Sequence, residues 1–114
     1  PPEKGDTSAA IATSIIDGKK RVWFSVEYVS SGSKVAVIVM AENSGSGWVY
    51  SVLGSSNPTL LRLGYAPGVG GDVLYVSAPF AGEGVGTVSR YFVPVDYEAP
   101  QSYNTFAELL ATLT

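Results

Sequence analysis

The apolar run from Val35 to Ala41, VAVIVMA, constrains the fold of this chain more than any other segment. Four of its seven residues are β-branched, and the polar segments SSGSK and ENSGSG bound it on either side. A strand that is covered on both faces needs no polar alternation, whereas a buried helix is usually longer than seven residues. The run therefore predicts a central strand whose two faces are covered by the rest of the chain.

Six further segments have the composition or the period-two alternation of strands. They are residues 8–16, 21–29, 48–53, 59–65, 73–78 and 87–95. Asp17-Gly18 between the first two predicts a hairpin, because a type I′ turn needs positive φ at both central positions. Pro94 has no N–H to donate to a ladder, which indicates an edge strand or the end of a strand.

The period changes near the C-terminus. Apolar residues fall at i, i+3, i+4 and i+7, as on one face of a helix: Phe106, Leu109, Leu110 and Leu113. Thr105 and Glu108 have capping-box spacing, so a short amphipathic helix is predicted at about 105–113. The fold prediction is a single-domain, all-β antiparallel β-sandwich or barrel of about seven strands with this C-terminal helix. Residues 8–114 form the domain, and residues 1–7 (PPEKGDT) read as a flexible N-terminal arm.

The composition excludes several kinds of chemistry. The 114 residues include no cysteine and no histidine, which removes thiolate nucleophiles, disulfides and the commonest metal ligands. The net charge is −3, and the basic cluster Lys19–Arg21 lies beside a turn, so we expect no nucleic-acid partner. The longest apolar run is far shorter than the ~20 residues of a spanning helix, so we expect no membrane span.

The carboxylates do not form a recognisable catalytic pattern. They lie in or beside predicted turns and loops: Asp17, Asp72, Glu83, Asp96 and Glu98. Asp17 is explained as a turn residue, and Asp72 by the Gly-Gly-Asp turn. Residues 82–86 (GEGVG) precede a predicted strand, whereas a phosphate loop opens a helix. We therefore predict that the protein is not an enzyme and has no catalytic, cofactor-binding or metal-binding residues.

The first strand candidate carries the strongest interaction signal. Its small and β-branched residues share one strand face, and this face could pair with a neighbouring copy by strand exchange. The alternative is an ordinary first hairpin strand, which the Asp-Gly turn favours. Trp23 shares its face with Ser25 and Glu27, which predicts an exposed or interfacial side chain. The predicted interface residues are Ala9, Ile11, Thr13, Ile15 and Trp23.

The aromatic residues support a second hypothesis. Trp23, Tyr28, Trp48 and Tyr50 lie on neighbouring strand candidates, and aromatic rings on one sheet face can stack on sugars. The competing interpretation places most of them in the core, with Phe24 and Tyr28 pointing inward.

The functional prediction is a non-enzymatic structural protein that self-associates or docks onto a larger assembly. A virion shell or decoration protein and an extracellular filament subunit are its two concrete forms, so the expected location is extracellular or in a virion. The expected partners are proteins, including copies of this chain. A carbohydrate-binding module that uses the strand aromatics is the alternative.

Overall fold

A computed structural model describes residues 11–56, 62–68, 70–78 and 85–113 of the chain. These residues are mostly β, with one short helix. The strands are β1 (Ile11–Ile16), β2 (Lys19–Ser30), β3 (Ser33–Asn43), β4 (Trp48–Ser56), β5 (Arg62–Gly68), β6 (Gly71–Ala78) and β7 (Thr87–Pro94), and the helix is α1 (Phe106–Leu110). A strand lies at each predicted position, although β5 runs to Gly68 and not to Tyr65. Residues 59–61 of that predicted strand, residues 8–10 and the N-terminal arm lie outside the described residues.

The strands form two antiparallel sheets in which chain neighbours pair. The first sheet has the order β1-β2-β3-β4, and the second has the order β5-β6-β7. In β3 the residues from Ala36 to Ala41 are all buried, so the predicted central strand covered on both faces is confirmed. Pro94 ends β7, which lies at the edge of the second sheet, as its missing N–H predicted.

Tight turns join the first three strands. Asp17 and Gly18 have φ of 48° and 75°, the left-handed conformations that a type I′ hairpin requires. Ser31 and Gly32, with φ of 51° and 79°, make the corresponding turn between β2 and β3. β1 therefore pairs with β2 of its own chain over Ile11–Ile16, which is the hairpin interpretation of this segment.

The first sheet is packed on both faces. On one face, a hydrophobic cluster combines residues of both sheets: Trp23, Ala36, Ile38, Met40, Leu74, Val76, Ala78 and Val93. On the other face, strand residues meet the C-terminal helical region in a second cluster: Val26, Tyr28, Val37, Val39, Leu109 and Leu113. The antiparallel all-β class is confirmed, and the described strands form no closed barrel.

The segment after β7 connects the two sides of the first sheet. It leaves the second sheet, passes the edge of β4 and then enters α1. At that edge Tyr50 N donates to Tyr103 O and Tyr103 N donates to Tyr50 O, both at 2.8 Å. This bridge satisfies backbone groups that an edge strand would otherwise expose.

The helix is shorter than the predicted 105–113. Its α-helical part ends at Leu110, and two tighter bonds follow: Thr112 N donates to Leu109 O, and Leu113 N donates to Leu110 O. These bonds carry the buried side chain of Leu113 onto the sheet. Thr105 is the N-cap as predicted, since its Oγ1 accepts from Glu108 N at 3.1 Å, and the same hydroxyl donates to Glu108 Oε1.

Candidate functional site

A buried polar cluster lies between the two sheets around Arg21. The Arg21 guanidinium is fully buried; its Nε donates to Glu42 Oε2 at 2.8 Å, and its Nη1 donates to Asp72 Oδ2 at 3.1 Å. Ser14 Oγ donates to the same Asp72 oxygen at 3.0 Å. The cluster thereby joins β1, β2 and β3 of the first sheet to β6 of the second.

The same arginine also holds the end of β7. Its Nη1 and Nη2 donate to the backbone oxygens of Val93, Pro94 and Val95 at 2.8 to 3.2 Å. Lys19 Nζ donates to Val95 O at 2.6 Å. A buried guanidinium needs several acceptors to offset its lost hydration, and here carboxylates and strand-end carbonyls supply them. The arrangement is that of a structural cross-link between the sheets.

The carboxylates are placed differently from what the sequence suggested. Asp72 is a buried residue of β6, paired with Arg21, and not an exposed turn residue. The turn position is occupied instead by Gly70, with φ of 78°. Asp17 lies in its predicted hairpin turn, and Asp96 and Glu98 are exposed. Residue 83 lies outside the described residues.

A cleft of about 320 Å³ lies between the β3–β4 surface and the segment after β7. Its lining residues are Met40, Glu42, Ser44, Val49, Ser51, Tyr97, Glu98, Ala99 and Ser102. Two carboxylates line this cleft, but Glu42 is bound to Arg21. Within the described ranges, no group of three or more His, Cys, Asp or Glu side chains could hold a metal ion.

The other face of the first sheet is only partly covered by the helix. We call the uncovered part the open face; its residues are Ile11, Thr13, Ile15, Lys20, Val22, Phe24, Trp48 and Tyr50. Ile11 is 65% exposed and Ile15 is 76% exposed, although both are large apolar side chains in a regular strand. Lys20 is the charged residue of this set and lies opposite Ile15.

A shallow apolar groove of about 330 Å³ lies beside these isoleucines on the open face. It is lined by Val22, Phe24, Ala41, Trp48, Tyr50 and Phe106. Phe106 anchors its floor, since its ring packs edge-on against Phe24 at a centroid distance of 5.4 Å and tilted against Tyr50 at 5.9 Å. The open face thus presents projecting aliphatic side chains and an aromatic recess side by side.

The structure brings three of the predicted interface residues together. Ile11, Thr13 and Ile15 alternate along β1 and are exposed on the same face, whereas Ala9 lies outside the described residues. The prediction that Trp23 is exposed is wrong, because this side chain is fully buried in the cluster between the sheets. Ser25 on the same side is also fully buried, so the polar residues beside Trp23 did not mark a solvent face.

Sequence reasoning missed the polar cluster and the role of Phe106 in the groove. Arg21 begins the strand candidate 21–29 next to two lysines, so the sequence did not single it out, and its partner Asp72 is 51 positions away. Phe106 was predicted to lie on the apolar face of the C-terminal helix, but the sequence did not place it beside Trp48 and Tyr50.

In the part of the chain that the structure describes, no helix is long and apolar enough to cross a membrane. Comparisons of the chain with family models, with curated proteins and with solved structures find no match.

Proposed function

We propose that this protein is a non-enzymatic assembly subunit, built as an open β-sandwich, that associates with copies of itself through the open face. The exposure of Ile11 and Ile15 is the observation that carries the proposal. The solvent-facing side of an antiparallel sheet is usually polar, whereas these two aliphatic side chains are exposed there, and Ile11 lies directly opposite Phe24 of the adjacent groove. Burying such a surface stabilises an association by about 25 cal/mol per Å².

A second copy is the occupant that the shape of this face favours. Ile11 and Ile15 project from β1, while the groove lies across β2, β3 and β4 of the same sheet. In a two-fold pair the isoleucines of each copy can enter the groove of the other, because an isologous interface needs one self-complementary patch. Only 15% of the residues are charged, so charge repulsion between two copies opposes such a contact only weakly.

The wider role follows from the same property. A subunit of a virion shell or of an extracellular filament must bury its exposed faces against neighbours, and a low surface charge suits that state.

Exchange of β1 between copies is a second route to association within this proposal. It would keep the pairing of β1 with β2 but form it between two chains.

Light scattering across a hundredfold range of protein concentration tests self-association. We expect the molar mass to rise above 11.9 kDa with concentration in the unaltered chain. The double variant Ile11→Thr/Ile15→Thr should shift this rise to higher concentration, since both residues stay β-branched but lose apolar surface. Val29→Thr is the matched control, because Val29 is 61% exposed on the same sheet but lies outside the open face. A monomer at every concentration would overturn the proposal.

Carbohydrate binding is the second candidate, and the aromatic groove supports it. Trp48 is 39% exposed and lies with Tyr50 and Phe106 around an open recess, an arrangement that can stack on sugar rings. In this case the chain is monomeric, and added polysaccharide changes Trp48 fluorescence. The change should disappear in Trp48→Ala and persist in the buried-site variant Trp23→Phe.

A further inference from the structure

Among the described residues, the outer edge of β7 is not covered by any of the contacts given above. Of the edge strands, β4 is bridged by Tyr103, and β1 runs close to β5. Within the described residues, β7 pairs with β6 and has no strand on its other side. Its residues from Thr87 to Arg90 are all exposed, Val88 is 74% exposed and Phe92 is 50% exposed.

The hydrogen-bond pattern shows which backbone groups point outward from this edge. Val95 N donates to Gly70 O. The odd-numbered residues of β7 therefore direct their N–H and C=O groups toward β6. The N–H and C=O groups of Val88, Arg90 and Phe92 therefore point away from the sheet. The outward carbonyl of Pro94 is occupied, because Tyr97 N and Arg21 Nη2 both donate to it. Within the described ranges, the stretch of β7 whose outward backbone groups have no partner therefore ends at Phe92.

We infer that β7 pairs antiparallel with β7 of a second copy, so that the two three-stranded sheets join into one six-stranded sheet. A row of unpaired strand groups is complementary to extended backbone, and an identical edge supplies the same donors and acceptors in reverse order. This interface uses a different surface from the open face and does not depend on it.

The side chains disfavour two registers of this pairing, and the axis at Ser89 pairs more of β7 than an axis nearer its start. A two-fold axis at Arg90 sets two like charges opposite each other, which is unfavourable. An axis at Tyr91 sets Pro94 opposite Val88, where proline has no donor and its carbonyl is already bound. An axis at Ser89 avoids both conflicts, since Val88 then pairs with Arg90 of the second copy. The inferred interface is therefore centred on Ser89.

Two separate two-fold interfaces on one subunit have a consequence for assembly. The open face closes one pair, and the β7 edge closes another. Because the two interfaces use different residues, one subunit can form both at the same time. Alternating the two contacts then extends the assembly beyond a dimer.

Cysteine cross-linking tests the register, because the chain has no cysteine of its own. Around an axis at Ser89, the two Ser89 Cα atoms form a non-hydrogen-bonded pair about 4.5 Å apart, within the range of a disulfide. Ser89→Cys should therefore form a disulfide-linked dimer under mild oxidation about tenfold faster than Ser46→Cys, an exposed loop control. Arg90→Cys should behave like the control, since its copies then lie on a diagonal about 7–8 Å apart.

The outcomes separate this inference from association through the open face. Fast cross-linking of Ser89→Cys that persists in the Ile11→Thr/Ile15→Thr background supports the β7 interface alone. Equal, slow cross-linking of all three cysteine variants overturns it, whatever the light scattering shows. Fast cross-linking of Arg90→Cys with slow cross-linking of Ser89→Cys overturns the register.

Discussion

Arg21 and Asp72 form an ion pair between the two sheets, with Nη1 3.1 Å from Oδ2 and both side chains fully buried. The pair is supported by Ser14, by Glu42 and by the carbonyls at the end of β7. Its Asp72 Oδ1 has no hydrogen-bond partner among the described residues, so one acceptor of the pair is left unsatisfied. Removing one partner of such a buried pair is costly even where the intact pair adds little net stability.

Removing one partner of this pair should be costly. Asp72→Ala leaves the Arg21 guanidinium buried without its fully buried counter-ion, and we expect a loss of about 3 kcal/mol in the free energy of unfolding. Glu42→Ala removes a partner that is itself 22% exposed, so a loss of about 1 kcal/mol is expected. Urea denaturation of both variants makes the comparison. Equal losses in the free energy of unfolding would show that Asp72 stabilises the fold no more than the partly exposed Glu42 does.

Gly71 should tolerate no side chain. A Cβ there would lie 2.5 Å from Val93 O and 2.8 Å from Phe92 Cζ, and a backbone oxygen cannot rotate away. We expect Gly71→Ala to cost about 1–3 kcal/mol. Gly54→Ala is the control, since its Cβ would lie 3.4 Å from the Tyr91 hydroxyl, and it should be nearly neutral. Thermal unfolding of the two variants measures the difference; similar melting temperatures would contradict this packing.

Leu109 should anchor the helix to the sheet. It is the fully buried residue of α1 and lies in the cluster with Val37 and Val39, so Leu109→Ala should cost about 2–5 kcal/mol. Leu110→Ala removes the same atoms from a half-buried position and should cost clearly less. Urea denaturation again provides the measurement. A larger effect of Leu110→Ala would mean that the helix presents a different face to the sheet.

The two tryptophans should report two environments. Trp48→Phe leaves the buried Trp23, whose emission should lie at short wavelength and resist quenching by acrylamide. Trp23→Phe leaves Trp48 on the open face, so its emission should be red-shifted and readily quenched in the monomer. The proposed association through the open face predicts that quenching of Trp48 falls at concentrations where the molar mass rises. Strong quenching of Trp23 in the folded chain would refute its burial.

Local patterns were sufficient for the elements of this fold. The run from Val35 to Ala41 predicted the doubly covered strand, Asp17-Gly18 predicted the first hairpin, and Thr105 predicted the helix cap. Each of these depends on the conformational preferences of a few adjacent residues, which are the same in any fold. The residues that share a face of β1 were predictable for the same reason.

The identity of the covered faces was decided by tertiary structure alone. A period of two shows that Trp23 and Ser25 point the same way, but not that a distant sheet covers them. The Arg21–Asp72 pair and the exposure of Ile15 likewise depend on where chain segments more than fifty residues away come to lie. Alternation along a strand is set by backbone geometry, whereas burial is set by long-range packing, and for this chain that packing determines which apolar side chains remain exposed.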